Sequence, residues 1–90
     1  MSRYKLCDDV SIEYVDGNMV ILKGNGDAAT TNYTAKDMIE IILKYSIDDA
    51  RNILIEKYEA DEVTVEADMT ELIESLRQKN IIEVVEAHNA

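Results

Sequence analysis

Asp27-Ala28-Ala29-Thr30-Thr31-Asn32-Tyr33-Thr34 leads, after three further residues, into Met38-Ile39-Glu40-Ile41-Ile42-Leu43. The first half is rich in Thr and ends in Tyr, which suits a strand. Thr34 followed by Asp37 has the spacing of a capping box and predicts the start of a helix. The chain is therefore expected to pass from a strand over Ala28 to Tyr33 directly into a buried helix. Between those two residues stand no Pro and no Lys, so the usual devices that blunt a sheet edge are missing. At an edge, such a strand would offer its unpaired backbone groups to another chain.

Upstream, Val10, Ile12 and Tyr14 alternate with Ser11 and Glu13, the pattern of a half-buried strand. Asp16-Gly17 is a preferred two-residue hairpin turn. With Val15 opposite Asn18, the apolar pairs Tyr14/Met19 and Ile12/Ile21 fall on one face, so turn and pattern agree. Gly24-Asn25-Gly26 marks a second turn, whose register stays open. A tight Asn25-Gly26 turn puts Tyr33 on the face of Val20 and Leu22, and one extra loop residue reverses this.

Downstream, three helices are expected. The first, about Ala35 to Tyr45, is apolar around most of its circumference and should be central. Ser46 with Asp49 caps the second, whose Ala50, Ile53, Leu54 and Tyr58 repeat at helical spacing. Ala60 to Thr64 reads as a polar connection. The third runs from about Val65 to Lys79, with Glu66 and Asp68 in its first turn and Arg77 and Lys79 in its last. Val65, Met69, Leu72 and Leu76 form its stripe and Ile73 widens it. Asn80 ends the helix, Ile81 to Val85 either adds a strand or covers the core, and Glu86 to Ala90 is expected to fray. The sum is an α+β, winged-helix-like domain: a three-stranded antiparallel sheet followed by three helices.

Ninety residues make one domain, 1–90, that buries about 60–65% of its unfolded surface. A net charge of −10 disfavours a nucleic-acid partner, whose phosphates are bound through Lys and Arg. A single cysteine, Cys7, precludes an internal disulfide and fits a reducing compartment, where it serves as a small packing residue. His88 is the only histidine and lies in the tail. No apolar run follows Met1, and none in the chain exceeds four residues, so neither a signal peptide nor a membrane span is expected. The glycine turn lacks the Lys-Ser/Thr of a phosphate loop, and Asp16-Gly17-Asn18 lacks the ligand spacing of a calcium loop. No metal, no cofactor and no catalysis are expected.

Together, Thr31-Asn32-Tyr33-Thr34-Ala35, the helix end Glu56-Lys57-Tyr58, Val65-Glu66-Ala67-Asp68-Met69-Thr70-Glu71-Leu72-Ile73-Glu74-Ser75-Leu76 and Lys79-Asn80-Ile81-Ile82 resemble the pyrroloquinoline quinone biosynthesis protein D family. These domains are also known as RiPP recognition elements and chaperone ribosomally made precursor peptides. The resemblance covers about Lys5 to Val84. It departs from the family where Tyr33-Thr34 replaces a frequent Leu-Asn and where Asn80 replaces a frequent Gly.

Domains of this type also occur fused to larger enzymes, but a start at Met1 and a complete core favour a free-standing protein. The lone cysteine favours the cytoplasm, and the resemblance implies a non-catalytic protein. Its partners would be the leader of a precursor peptide and an enzyme such as a radical SAM enzyme or a leader peptidase. It assigns Asp27, Ala28, Ala29, Thr30, Thr31, Asn32 and Tyr33 as the edge that pairs with the leader. Asp68, Met69, Leu72, Ile73, Leu76 and Arg77 are its candidates on the third helix, with Ile73 and Arg77 favoured for the groove and Leu72 and Leu76 for the core. Ile73→Asp is accordingly expected to keep the fold and weaken leader binding. The competing readings are a winged-helix DNA-binding domain and an acidic protein–protein adaptor. Against the first, Glu66, Asp68, Glu71 and Glu74 would repel DNA.

Overall fold

The computed structural model describes residues 3–85. Its elements run β1 (Arg3–Leu6), β2 (Val10–Val15), β3 (Asn18–Lys23), β4 (Ala28–Thr30), α1 (Tyr33–Lys44), α2 (Ile47–Tyr58), α3 (Glu62–Gln78) and β5 (Ile82–Val85). Strands β2, β3 and β4 form an antiparallel sheet in that order, and β1 pairs with β5 in a second, two-stranded one. Three helices follow the three-stranded sheet, as the sequence predicts. The tail Glu86 to Ala90, with His88, lies outside the described residues.

The first hairpin has the expected register, with Val15 opposite Asn18, Tyr14 opposite Met19 and Ile12 opposite Ile21. Asp16 and Gly17 both have positive φ (53° and 81°), which the favoured two-residue turn requires. Its core face buries Met19 and Ile21 in one cluster with Ile39, Ile42 and Leu54 of the helices.

The second turn is one residue longer than a tight Asn25-Gly26 turn. Val20 pairs with Thr30, Ile21 with Ala29 and Leu22 with Ala28. Gly26 at φ +95° completes the loop and its N–H donates to the Lys23 carbonyl at 3.0 Å. The Asp27 N–H donates to Asn25 Oδ1 at 2.9 Å, fixing the entry to β4. Ala29 thereby shares the inner face with Ile21.

Two helix starts differ from the sequence expectation. Asn32, not Thr34, caps α1: its Oδ1 accepts from the Ala35 N–H at 2.8 Å. Asn outranks Thr at this position, so the helix begins earlier, β4 ends at Thr30, and Tyr33 is a helical residue, 74% exposed. Asp61 caps α3 and accepts from the Thr64 N–H at 2.7 Å, which holds its carboxyl below the usual range. Ala60 to Thr64 is thus largely helix, and Glu62, rather than Glu66 or Asp68, is the acidic residue of the first turn.

Asn80 ends α3 as expected, in the left-handed region at φ 57°. The Ile81 N–H reaches the Leu76 carbonyl at 2.9 Å and the Asn80 N–H the Arg77 carbonyl at 3.0 Å. This crossed pair is the Schellman stop, and buried Ile81 packs beside buried Leu76 as that motif favours.

Residues Ile82 to Val85 both add a strand and cover the core. The partner, β1, was not expected from the sequence. Tyr4 and Leu6 turn inward against the core while Arg3 and Lys5 stay exposed, and Lys5 meets Glu83 across the ladder at 3.3 Å. Cys7 packs against the same core, and partial burial beside Glu83 pushes its thiol up, away from nucleophilic character.

Candidate functional site

The C-terminal strand closes on β1, so among the described residues the outer side of β4 pairs with nothing. Which groups it presents follows from the ladder. The Lys23 N–H donates to the Asp27 carbonyl at 2.9 Å. Bonded pairs alternate in an antiparallel ladder, which makes Ile21 and Ala29 the next bonded pair. The N–H and C=O of Ala28 and Thr30 therefore point to the open side.

Beside this edge lies α3. Leu72, Ser75, Leu76 and Lys79 recur at helical spacing and line one trough with Ala29, Thr30, Thr31 and Asn32. A second cavity, bounded by Lys23, Asp27, Ala28 and Lys79, adjoins it, and the two share Ile21, Ala29 and Ile81. Their volumes are about 230 and 300 Å³, respectively. The small side chains of Ala28 and Ala29 leave the trough open, and Ile21, Ile39 and Ile81 give it an apolar floor. The arrangement is a backbone edge next to an apolar slot.

Asp27 to Asn32 all line this trough. Tyr33 does not; it stands on the first turn of α1 with the Lys36 ammonium 5.9 Å from its ring, a spacing that suits a cation–π contact. On α3 the sequence-based preference reverses for Leu72, Ile73 and Arg77 but holds for Leu76. Half-buried Leu72 faces the trough, while Leu76, 5% exposed, is a core residue that borders it. Ile73, only 8% exposed, lies in the α2–α3 seam with Ile47, Arg51 and Met69, and Arg77 sits with Glu74 and Gln78 outside the trough. Asp68 lies elsewhere again, beside Thr34, Met38 and Tyr58 at the far end of the helices. There Tyr58 Oη donates to Asp37 at 3.0 Å; the bond lowers the Asp37 carboxyl, while burial, helped by the same bond, raises the Tyr58 phenol. That pair ties α2 to α1 away from the trough.

Sequence reasoning missed Ser75 and Lys79. The spacing Leu72-Ser75-Leu76-Lys79 would have found them once Leu72 was placed toward the sheet. Among the described residues, no group of three or more His, Cys, Asp and Glu gathers to hold a metal. No helix there is long and apolar enough to cross a membrane.

Residues 18–82 match the family described as Coenzyme PQQ synthesis protein D (PqqD). The chain belongs to the PqqD family. The matched span runs from the start of β3 into β5, so both walls of the trough lie within the PqqD region. Among solved structures, the fold resembles a lasso peptide synthetase B1 complexed with the leader peptide. The TM-score is 0.81 at 26% identity, over 90% of this chain and 98% of that one. It also resembles TbiB1 in complex with the TbiA(beta) leader peptide, with a TM-score of 0.80 over 93% and 99% of the two chains. At 20% identity that second likeness speaks for the PqqD-like fold alone. Comparison with curated proteins gives no match.

Proposed function

We propose that this PqqD-family domain binds the leader segment of a ribosomally made precursor peptide as an added strand on β4. It then presents the peptide to a modifying enzyme, such as a radical SAM enzyme, or to a leader-cleaving peptidase. The observation that carries the reading is the open β4 edge beside the slot formed with Leu72 and Leu76. The likeness to a protein complexed with a leader peptide supports it. The role is binding rather than catalysis, and its setting is the cytoplasm, where such precursors are made. The PqqD domain spans residues 1–90, with its core at about 5–84.

Energetics set what the guest must contain. Ordering six guest residues costs about 6–12 kcal/mol of backbone entropy. Four hydrogen bonds to Ala28 and Thr30 return about 1 kcal/mol each. Two or three buried apolar side chains, at about 1.5–3 kcal/mol each, bring the balance to binding. Guest residues alternate across the sheet, so those facing α3 are two apart. Backbone pairing fixes register and the slot selects identity.

Thr30→Pro tests the edge directly. It removes an outward N–H and puts a ring where the guest strand would lie, while the inner ladder bonds of Ala29 remain. Titration calorimetry with a synthetic leader, taken from the precursor frame neighbouring this chain's gene, should show affinity reduced about tenfold or more. Unaltered affinity in a folded variant would place the leader elsewhere.

A further inference from the structure

The chain carries 19 acidic residues against 9 Lys and Arg. Four of the nine cations, Lys5, Lys36, Arg51 and Lys57, lie within 4.0 Å of an acidic oxygen. The two at the trough do not. Lys23 and Lys79 both line its hairpin end, and among the described residues no carboxylate lies within 4.0 Å of either ammonium.

Lys23 has a structural task, since its Nζ donates to the Lys79 carbonyl at 2.6 Å and caps the negative end of α3. The Lys79 ammonium has no hydrogen-bond partner among the described residues. Asp27 is the nearest acidic candidate in the lining, but its carboxylate accepts from Asn25 Nδ2 at 3.0 Å instead. One end of a slot with an apolar floor therefore holds two ammonium groups that no carboxylate among the described residues approaches within 4.0 Å.

We infer that the groove selects guests by charge at this end: a bound segment carries an Asp or Glu on its α3-facing side, level with Lys79. The inference rests on the leader-binding reading and adds to it a specificity-determining residue. Leu72 and Lys79 are about 10 Å apart along the helix axis. α3-facing guest residues recur every 6–7 Å or so. The acidic residue should then stand about two or four positions from the apolar anchor beside Leu72. Such a contact also discriminates against guests with a basic residue there, which would meet like charge.

The test is selection of a displayed library of random 12-residue peptides on the wild-type protein, Lys79→Glu, Lys79→Arg and Leu72→Asp. Lys79 is exposed and makes no side-chain bond among the described residues, and circular dichroism checks that each variant is folded. Wild type and Lys79→Arg should enrich apolar anchors with an acidic residue at one fixed offset. Lys79→Glu should keep the anchors and replace the acid by Lys or Arg. Resynthesised acidic peptides should bind Lys79→Glu about fivefold more weakly than wild type at low salt, a gap that narrows as salt rises. Anchored peptides without an acidic preference, or the same preference on Lys79→Glu, would overturn the inference and leave the groove reading intact. Enrichment that survives Leu72→Asp would overturn both.

Discussion

Leu72→Asp is expected to weaken leader binding about a hundredfold while the domain stays folded. Leu72 is half-buried on the α3 face that walls the trough, one helical turn from Leu76. An apolar leader side chain lodged against it would lose about 1.5–3 kcal/mol of burial. The new carboxylate must also be stripped of water for the strand to dock, and desolvating an unpaired charge adds to the penalty. In the free protein the same carboxylate can remain solvated, because the trough is open. Circular dichroism should be close to wild type, with calorimetry showing little or no heat of binding. Retained affinity would remove α3 from the binding site.

The neighbouring residue should behave in the opposite way. Ile73→Ala is expected to cost about 2–5 kcal/mol of stability, through lost burial and the cavity left in the α2–α3 seam. A domain of this size loses roughly 4–8 °C of melting midpoint per kcal/mol, so the fall should reach about 10 °C or more. Leader affinity of the folded fraction should not change. Ile73→Asp, which from the sequence alone would probe the groove, instead reports on the fold. It buries a carboxylate beside an Arg51 already shared between Asp48 at 3.4 Å and Glu66 at 3.9 Å. A thermal melt of Ile73→Ala that overlays wild type would put Ile73 on the surface.

Why Leu72 and Ile73 exchange roles explains where sequence reading stops. Adjacent helical residues are about 100° apart, and both of these are apolar. Which one meets the sheet and which meets α2 depends on how the helices pack, and no local pattern encodes that. The same limit hid β1, whose Arg-Tyr-Lys-Leu alternation is short and whose partner, β5, lies at the opposite end of the chain. The start of α3 was placed a turn late because its first turn, Glu62-Val63-Thr64, buries nothing and so leaves no periodic signal before Val65.

Other parts were legible because two independent signals coincided. At the first hairpin, Asp16-Gly17 set the turn and the apolar alternation set the register, and both gave the same pairs. At the end of α3, Asn80 could adopt the left-handed conformation and an apolar residue followed to close the stop. The edge character of β4 rested on the missing Pro and Lys and on small side chains. Its length did not, since Asn32 and Thr34 both suit a helix cap and only the three-dimensional setting chose between them. The acidity of α3 survives as Glu66, Asp68, Glu71 and Glu74 on one helix. That charge still argues against a helix that reads DNA.

Amide hydrogen exchange, followed residue by residue with and without the leader peptide, addresses strand addition most directly. The Ala28 and Thr30 amides point to the open edge and should exchange fast in the free protein. On leader binding both should slow markedly, while Ala29, already bonded to β3, changes little by comparison. A leader that binds with Ala28 and Thr30 still exchanging at their free rates would contradict the account.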